Sequence, residues 1–201
     1  MTEDRLTQQI AFLVEADRLK SVIRRTPLVD GSRRENSAEH SWHLALAAMI
    51  LREYVAEPVD LLRLIELVTI HDLVEIDAGD AFAYDDAAQS AKAARELAAA
   101  DRLFGLLPAD QTSYVRGLWE EFETQETIEA RVANALDRFQ PLLQNAHSGG
   151  GSWRTHDLTR ADVLRRMAPV EHALPTLWPV VVHVIDSFCD LGVLRSASGE
   201  P

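Results

Sequence analysis

Apolar residues recur at helical spacing along most of the chain. Leu6, Ile10, Leu13 and Val14 predict a first amphipathic helix over about residues 2–20. Leu44, Ala47, Ala48, Leu51 and Val55 predict a second, which Asn36 opens with Glu39 three residues on, in the form of a capping box. Leu61, Leu64, Ile65 and Val68 carry a third, with Pro58 as a first-turn proline and Gly79 as its stop. The alanine-rich run from Asp85 to Leu107 reads as a scaffold helix stopped by Gly105 and Pro108. Pro108 to Phe122 is a short helix with Tyr114, Val115, Leu118 and Trp119 at core spacing, and its acidic end, Glu120, Glu121 and Glu123, reads as a solvated face. Glu126 to Asn145 forms the next long helix, with Ile128, Val132, Ala135, Leu136, Phe139, Leu142 and Leu143 on one side. Pro141 within it predicts a kink or an early break just past Asp137. Helices resume over about Thr159 to Met167 and Pro175 to Leu194.

The intervals carry turn chemistry. Thr26-Pro27 and Asp30-Gly31 make residues 21–35 a loop, and the three glycines of HSGGGSWRTH promise a mobile surface loop that Trp153 pins back. No alternating strand, phosphate-binding glycine loop or internal repeat stands out. The expected architecture is all-α: a single-domain helical bundle of about seven to eight helices over residues 1–195, followed by a disordered tail at 196–201.

With 201 residues and 47% hydrophobic content, the chain can bury a sizeable core as one domain. A formal charge of −12 argues against binding nucleic-acid polymers or anionic membranes, both of which require phosphates to be neutralised by Lys and Arg. One cysteine, Cys189, excludes an internal disulfide framework and fits a reducing compartment. Acids near the N-terminus and the lack of a membrane-length apolar run place the expected location in the cytoplasm. Against this acidic background, six of the twenty basic residues (Arg18, Lys20, Arg24, Arg25, Arg33 and Arg34) fall within seventeen positions. They are either a solvated arginine-rich loop or a phosphate-recognition segment, since guanidinium forks match phosphate oxygens in pairs.

The apolar stretch Leu61 to Asp80 carries an adjacent His71-Asp72 pair at a depth where unpaired polar groups are costly. Glu75 follows His71 by four residues, and Asp80 follows the glycine stop. His40 falls on the inward side of the second helix, where a hydrogen-bonded core histidine is the bland reading. Asp137 lies beside the apolar stripe of its helix, where it is equally compatible with an ordinary surface residue. Taken together, His40, His71, Asp72 and Asp137 are two imidazoles and two carboxylates from three helices. Such a set suits one divalent cation (Mn, Co, Fe, Ni, Zn or Mg) with positions left open for water, which implies catalysis. Of the four late histidines, His156 in the glycine loop is the one to watch for a role; His147, His172 and His183 read as surface or core hydrogen-bonding residues.

The order His40, His71-Asp72, Asp137 resembles the metal signature of the HD-domain phosphohydrolase superfamily. RRTP at 24–27, ENSAEHSWH at 35–43, HDLVEIDAGD at 71–80 and WEEFETQETIEARVANALDRFQPLLQN at 119–145 together resemble its single-domain branch containing 5'-deoxynucleotidases, over about residues 10–190. The resemblance implies that the four ligands bind one divalent cation, that Glu75 orients a water or moves protons, and that Asp80 contacts a sugar hydroxyl or assists the leaving oxygen. It also implies that an arginine ahead of the second helix holds a 5'-phosphate: Arg25, fifteen residues before His40, is preferred, and counting forward from Lys20 favours Arg24 instead. Members of that branch carry an aromatic residue after this arginine; here it is Thr26, so selection against a 2'-hydroxyl is not carried over. The implied activity is hydrolysis of a (deoxy)ribonucleoside 5'-monophosphate to nucleoside and phosphate, by a homodimer.

Two rival readings remain. One is HD-type hydrolysis of another phosphorylated substrate, such as a nucleoside triphosphate, an alarmone or a cyclic nucleotide. A two-iron oxygenase would need extra histidines between the His-Asp pair and the final aspartate, and none occurs from Leu73 to Leu136. The other is a non-catalytic dimeric helical module, which predicts decay of the ligand set.

Overall fold

The structure, a computed structural model, describes residues 2–80 and 86–196. Among the described residues, eight helices longer than one turn dominate: α1 (Thr2–Ala16), α2 (Ser37–Leu51), α3 (Leu61–Ile70), α5 (Asp86–Phe104), α6 (Ala109–Thr124), α7 (Ile128–His147), α8 (Arg160–Ala173) and α9 (Trp178–Asp190), with α4 (Glu75–Ala78) a single turn. The all-α expectation holds. The disordered tail expected at 196–201 lies, beyond Ser196, outside the described residues.

Helix starts follow local chemistry. Asn36 and Glu39 form the anticipated capping box, each side chain accepting from the other's backbone N–H. Thr159 and Asp162 form a second box at α8. α3 is capped by Asp60, which accepts from Leu62 and Arg63 N–H, so the helix starts three residues later than Pro58 suggests.

α7 is the central element, packed on α2, α3, α6, α8 and α9. Its Val132, Leu136, Phe139 and Leu142 meet Leu44, Leu64, Leu67, Val68, Val163, Val170 and Ile185 in the larger core. A smaller core gathers Phe12, Leu19, Leu73, Val74, Leu103, Phe104 and Trp119. The chain passes from one core to the other between Val68 and Leu73, and His71-Asp72 lies on that passage.

Four expectations are corrected by the structure. Residues 21–35 are not simply a loop: β1 (Ile23–Pro27) pairs antiparallel with β2 (Arg34–Asn36), from Ile23 opposite Asn36 to Pro27 opposite Arg34 with a register shift between. Asp30 closes the connecting turn by accepting from the Ser32 N–H and hydroxyl. The third helix is not continuous to Gly79 but breaks after Ile70. α7 runs through Pro141 to His147, because burial of its apolar side outweighs the roughly 3 kcal/mol a mid-helix proline costs. The triple-glycine stretch is not a free surface loop: it folds into a 3-10 turn, Gly151–Thr155, with Ser152 and Trp153 buried and the indole edge-on to Phe188 at 5.3 Å. Among the described residues, no helix is long and apolar enough to cross a membrane.

Candidate metal centre

The break after Ile70 is what makes the site. In a regular α-helix, neighbouring side chains point about 100° apart, so His71 and Asp72 could not both face one cleft. Here the ladder tightens: Leu73 N–H donates to Ile70 O at 3.0 Å and Glu75 N–H to Asp72 O at 2.9 Å. His71 Nε2 and Asp72 Oδ1 thereby come to 3.1 Å. α2 brings in His40, with no exposed surface, its ring 5.6 Å from that of His71. α7 brings Asp137, whose Oδ1 lies 2.9 Å from His40 Nε2 and 3.9 Å from His71 Nε2. The ligand atoms of His40, His71 and Asp72 all fall within 4.8 Å of one another.

Each of the four side chains is held from behind by the atom it does not turn inward. His71 Nδ1 donates to Val68 O at 2.9 Å, which leaves the lone pair on Nε2. His40 Nδ1 donates to Gln140 Oε1 at 3.0 Å. Arg24 Nη1 donates to Asp72 Oδ2 at 2.6 Å, and Arg138 Nη1 to Asp137 Oδ2 at 2.5 Å. Such outer partners orient metal ligands and fix their tautomers. His71 Nε2 is buried with no hydrogen-bond partner, an orphan that a cation at the centre of the cluster satisfies. The donor set therefore fits a divalent metal ion.

Charges in the cluster are strongly displaced. Burial and the neighbouring cations His40 and Arg24 push the His71 imidazole down to about 4, against the attraction of Asp137. His40 moves the other way, up to about 9: burial and Arg24 oppose its charge, but hydrogen bonds to Asp137 and the adjacent Glu35 prevail. Burial raises Asp72, partly offset by Arg24. Asp137 lies well below the ordinary carboxylate range, since His40 and Arg138 overcome its burial. Glu75, buried beside Asp72, rises to about 8 while its Oε2 accepts from Ser37 Oγ at 2.7 Å.

The remaining expected residues line one cleft that opens on this centre. Asp80 is among the residues that line it; burial disfavours the charge of Arg24, but Asp72, Glu75, Asp137 and Asp80 outweigh that and favour it. The alternation of β1 turns Arg24 and Thr26 inward and Ile23 and Arg25 outward, so Arg24 enters the carboxylate cluster while Arg25 stays exposed on the cleft rim. His156 Nδ1 donates to Ser152 O at 2.8 Å. Glu121, part of the acidic end assigned to solvent, pairs with Arg63 and Thr127, whereas Glu123 lines the cleft.

Sequence reasoning misses several contributors. Glu35 is 2% exposed, and its Oε1 accepts from Gln140 and Gln144 Nε2 at 2.9 and 2.8 Å. Burial opposes the Glu35 charge, but His40 and Arg24 keep it below the usual carboxylate range. The spacing of Gln140 three residues after Asp137 is a usable sequence signal; for Glu35 there is none beyond its place in ENSAEH. α5, read as scaffold, supplies Lys92 and the buried Glu96 to the cleft wall, paired at 3.0 Å.

Fold and site together define a helical domain built around a His/Asp cluster suited to a divalent metal. The HD domain family matches residues 16–178, and the chain belongs to that family. A crystal structure from Magnetospirillum magnetotacticum, described as a predicted metal-dependent phosphohydrolase, is 47% identical, with TM-score 0.92 and coverage of 96% of this chain and 97% of that one. The human protein named 5'-deoxynucleotidase HDDC2 is 31% identical over 112 residues, 56% of this chain and 53% of the human one. Its Xenopus laevis namesake is 34% identical over 110 residues, 55% of this chain and 53% of that one. The match thus spans about half the length of these curated relatives.

Proposed function

We propose that this chain is a divalent-metal-dependent phosphohydrolase acting on nucleoside 5'-monophosphates, (deoxy)ribo-, and releasing nucleoside and phosphate. The observation that carries the reading is the convergence of His40 Nε2, His71 Nε2, Asp72 Oδ1 and Asp137 Oδ1 on one point, each backed by an outer partner. The relatives named 5'-deoxynucleotidase and metal-dependent phosphohydrolase support the reaction class.

In this reading His40, His71, Asp72 and Asp137 hold one cation, which supplies Lewis acidity toward the phosphate and toward a water. Glu75, whose Oε2 is anchored by the Ser37 hydroxyl, would orient that water and accept its proton. Arg25, exposed at the cleft rim, holds the phosphate, and Thr26 and Asp80 face the sugar. Arg24 neutralises Asp72 and with it the field a phosphate dianion meets. Larger phosphorylated nucleotides are the second reading, because the cleft extends past the His/Asp cluster to Lys92, Asn145 and Arg166.

The protein works in this reading as a cytoplasmic homodimer. Trp42, Leu46, Met49 and Ile50 repeat at helical spacing along α2 yet are 66%, 40%, 54% and 62% exposed, an apolar stripe suited to a second copy. Sedimentation shows whether it is covered, and Trp42→Glu is expected to yield monomer. The function is tested by phosphate release from ribo- and deoxyribonucleoside monophosphates after chelation and restoration of single metals. Hydrolysis of a di- or triphosphate with none of the monophosphates would select the second reading. Unchanged turnover in metal-replete His71→Ala and Asp72→Ala would refute metal catalysis at this site.

A further inference from the structure

Gln140, 2% exposed on α7, has a fully determined hydrogen-bonding role. Its Nε2 carries two hydrogens, one directed to Glu35 Oε1 at 2.9 Å and the other to His43 Nδ1 at 3.0 Å. An ionised carboxylate only accepts, so the nitrogen end of the amide must face Glu35. The oxygen end then faces His40 Nδ1 at 3.0 Å and can only accept from it. His40 must therefore carry hydrogen on Nδ1 and present Nε2, the nitrogen 2.9 Å from Asp137 Oδ1, as its ligating atom. Flipping the amide would set its oxygen against Glu35 and make His40 Nδ1 an acceptor, moving the hydrogen onto Nε2 and into the metal position. Glu35 itself is pinned by a second amide, Gln144 Nε2 at 2.8 Å, and sits in the middle of β2, just ahead of α2.

We propose that Glu35 is a positioning residue for the metal centre: acting through Gln140, and directly from its Oε2 at 3.4 Å from His40 Nδ1, it dictates which nitrogen of His40 is free to bind the cation. His71 needs no such device, because its Nδ1 is fixed by a backbone carbonyl, which can only accept. His40 faces an amide, which can turn either way, and Glu35 removes that freedom. The proposal rests on the metal-binding reading above and adds to it a residue that touches neither metal nor substrate.

The test compares metal-depleted wild type with Glu35→Ala, Glu35→Gln and Gln140→Met, reading Co²⁺ affinity by competition with a chromophoric chelator, the visible spectrum of the Co²⁺-loaded proteins and the melting temperature of the metal-free ones. Glu35→Ala and Gln140→Met are expected to weaken Co²⁺ binding by roughly 10–100-fold and to alter the visible bands. Glu35→Gln, whose Oε1 still accepts from both amides, is expected to recover most of the affinity. Gln140→Met conserves volume and carries the test if Glu35→Ala does not fold. Wild-type affinity and spectrum in Glu35→Ala and Gln140→Met, whatever their melting temperatures, would overturn the positioning role and leave metal binding intact. Absence of Co²⁺ binding by wild type would overturn both.

Discussion

Arg24 Nη1 meets Asp72 Oδ2 at 2.6 Å inside the cleft, and this contact joins the β1–β2 hairpin to the break between α3 and α4. The same guanidinium lies 4.0 Å from Glu75, 3.8 Å from Asp137 and 3.9 Å from Glu35, so one buried cation sits among four carboxyl groups. Removing it leaves charge buried without a partner. Arg24→Ala is expected to lower the stability of the metal-free protein by about 3–5 kcal/mol in chemical denaturation, with saturating divalent metal recovering part of the loss. Arg24→Met with wild-type stability would show that the guanidinium is not needed to balance the cluster.

Glu75 is separable from the ligand set. Glu75→Gln keeps the side-chain volume and the acceptor for Ser37 Oγ but cannot take up a proton. Metal affinity is expected to stay close to wild type while kcat falls by about 10²–10⁴-fold. Equal losses in metal affinity and kcat would make Glu75 a ligand instead.

The metal-free protein has a defined pH signature. His40, raised to about 9, stabilises the fold fully below its unfolded value of about 6.5 and loses that contribution as pH rises through 9. Glu75, raised to about 8, stays protonated in the fold where the unfolded chain has already ionised, so it too lowers stability as pH rises toward 8. Both act in the same direction between pH 6.5 and 8, and His40 continues to 9. His71, lowered to about 4, opposes folding only below pH 6.5, where the unfolded imidazole protonates first. Thermal melts of chelated protein are expected to fall from pH 6.5 to 9, whereas a flat profile would contradict these assignments. Metal binding requires His40 Nε2 without its hydrogen, so titrating Mn²⁺ or Co²⁺ at pH 7.5 is expected to release protons, read calorimetrically in buffers of different ionisation enthalpy.

The glycine turn after α7 closes one wall of the cleft. Gly151 has φ 42°, and a Cβ there would sit 2.3 Å from Asn145 Oδ1, the atom that accepts from Ser152 N–H and Oγ. Gly151→Ala is expected to cost about 1–2 kcal/mol for the left-handed backbone, with a further loss from the displaced Asn145, measurable as a lower melting temperature. Gly149, also at positive φ but with open space around its Cβ, is expected to tolerate alanine better, losing only the backbone part.

What the sequence determined by itself is what local spacing and side-chain type encode. The helical periods, the Asn36–Glu39 cap and the His40, His71-Asp72, Asp137 donor chemistry are legible because each depends on residues within a turn or two of one another or on side-chain type alone. Tertiary structure decided the rest. Arg24 rather than Arg25 enters the cluster because β1 pairs with β2, and neither segment shows enough alternation alone to announce a strand. α3 breaks at Ile70 because the chain there leaves one core for the other, a change of packing partner that no periodicity of residues 61–80 records. α7 passes Pro141 because its burial against five helices outweighs the lost hydrogen bond. Glu35 reaches Gln140 across 105 positions, and a hydrogen bond of that separation depends on the folded chain rather than on the pattern around either residue.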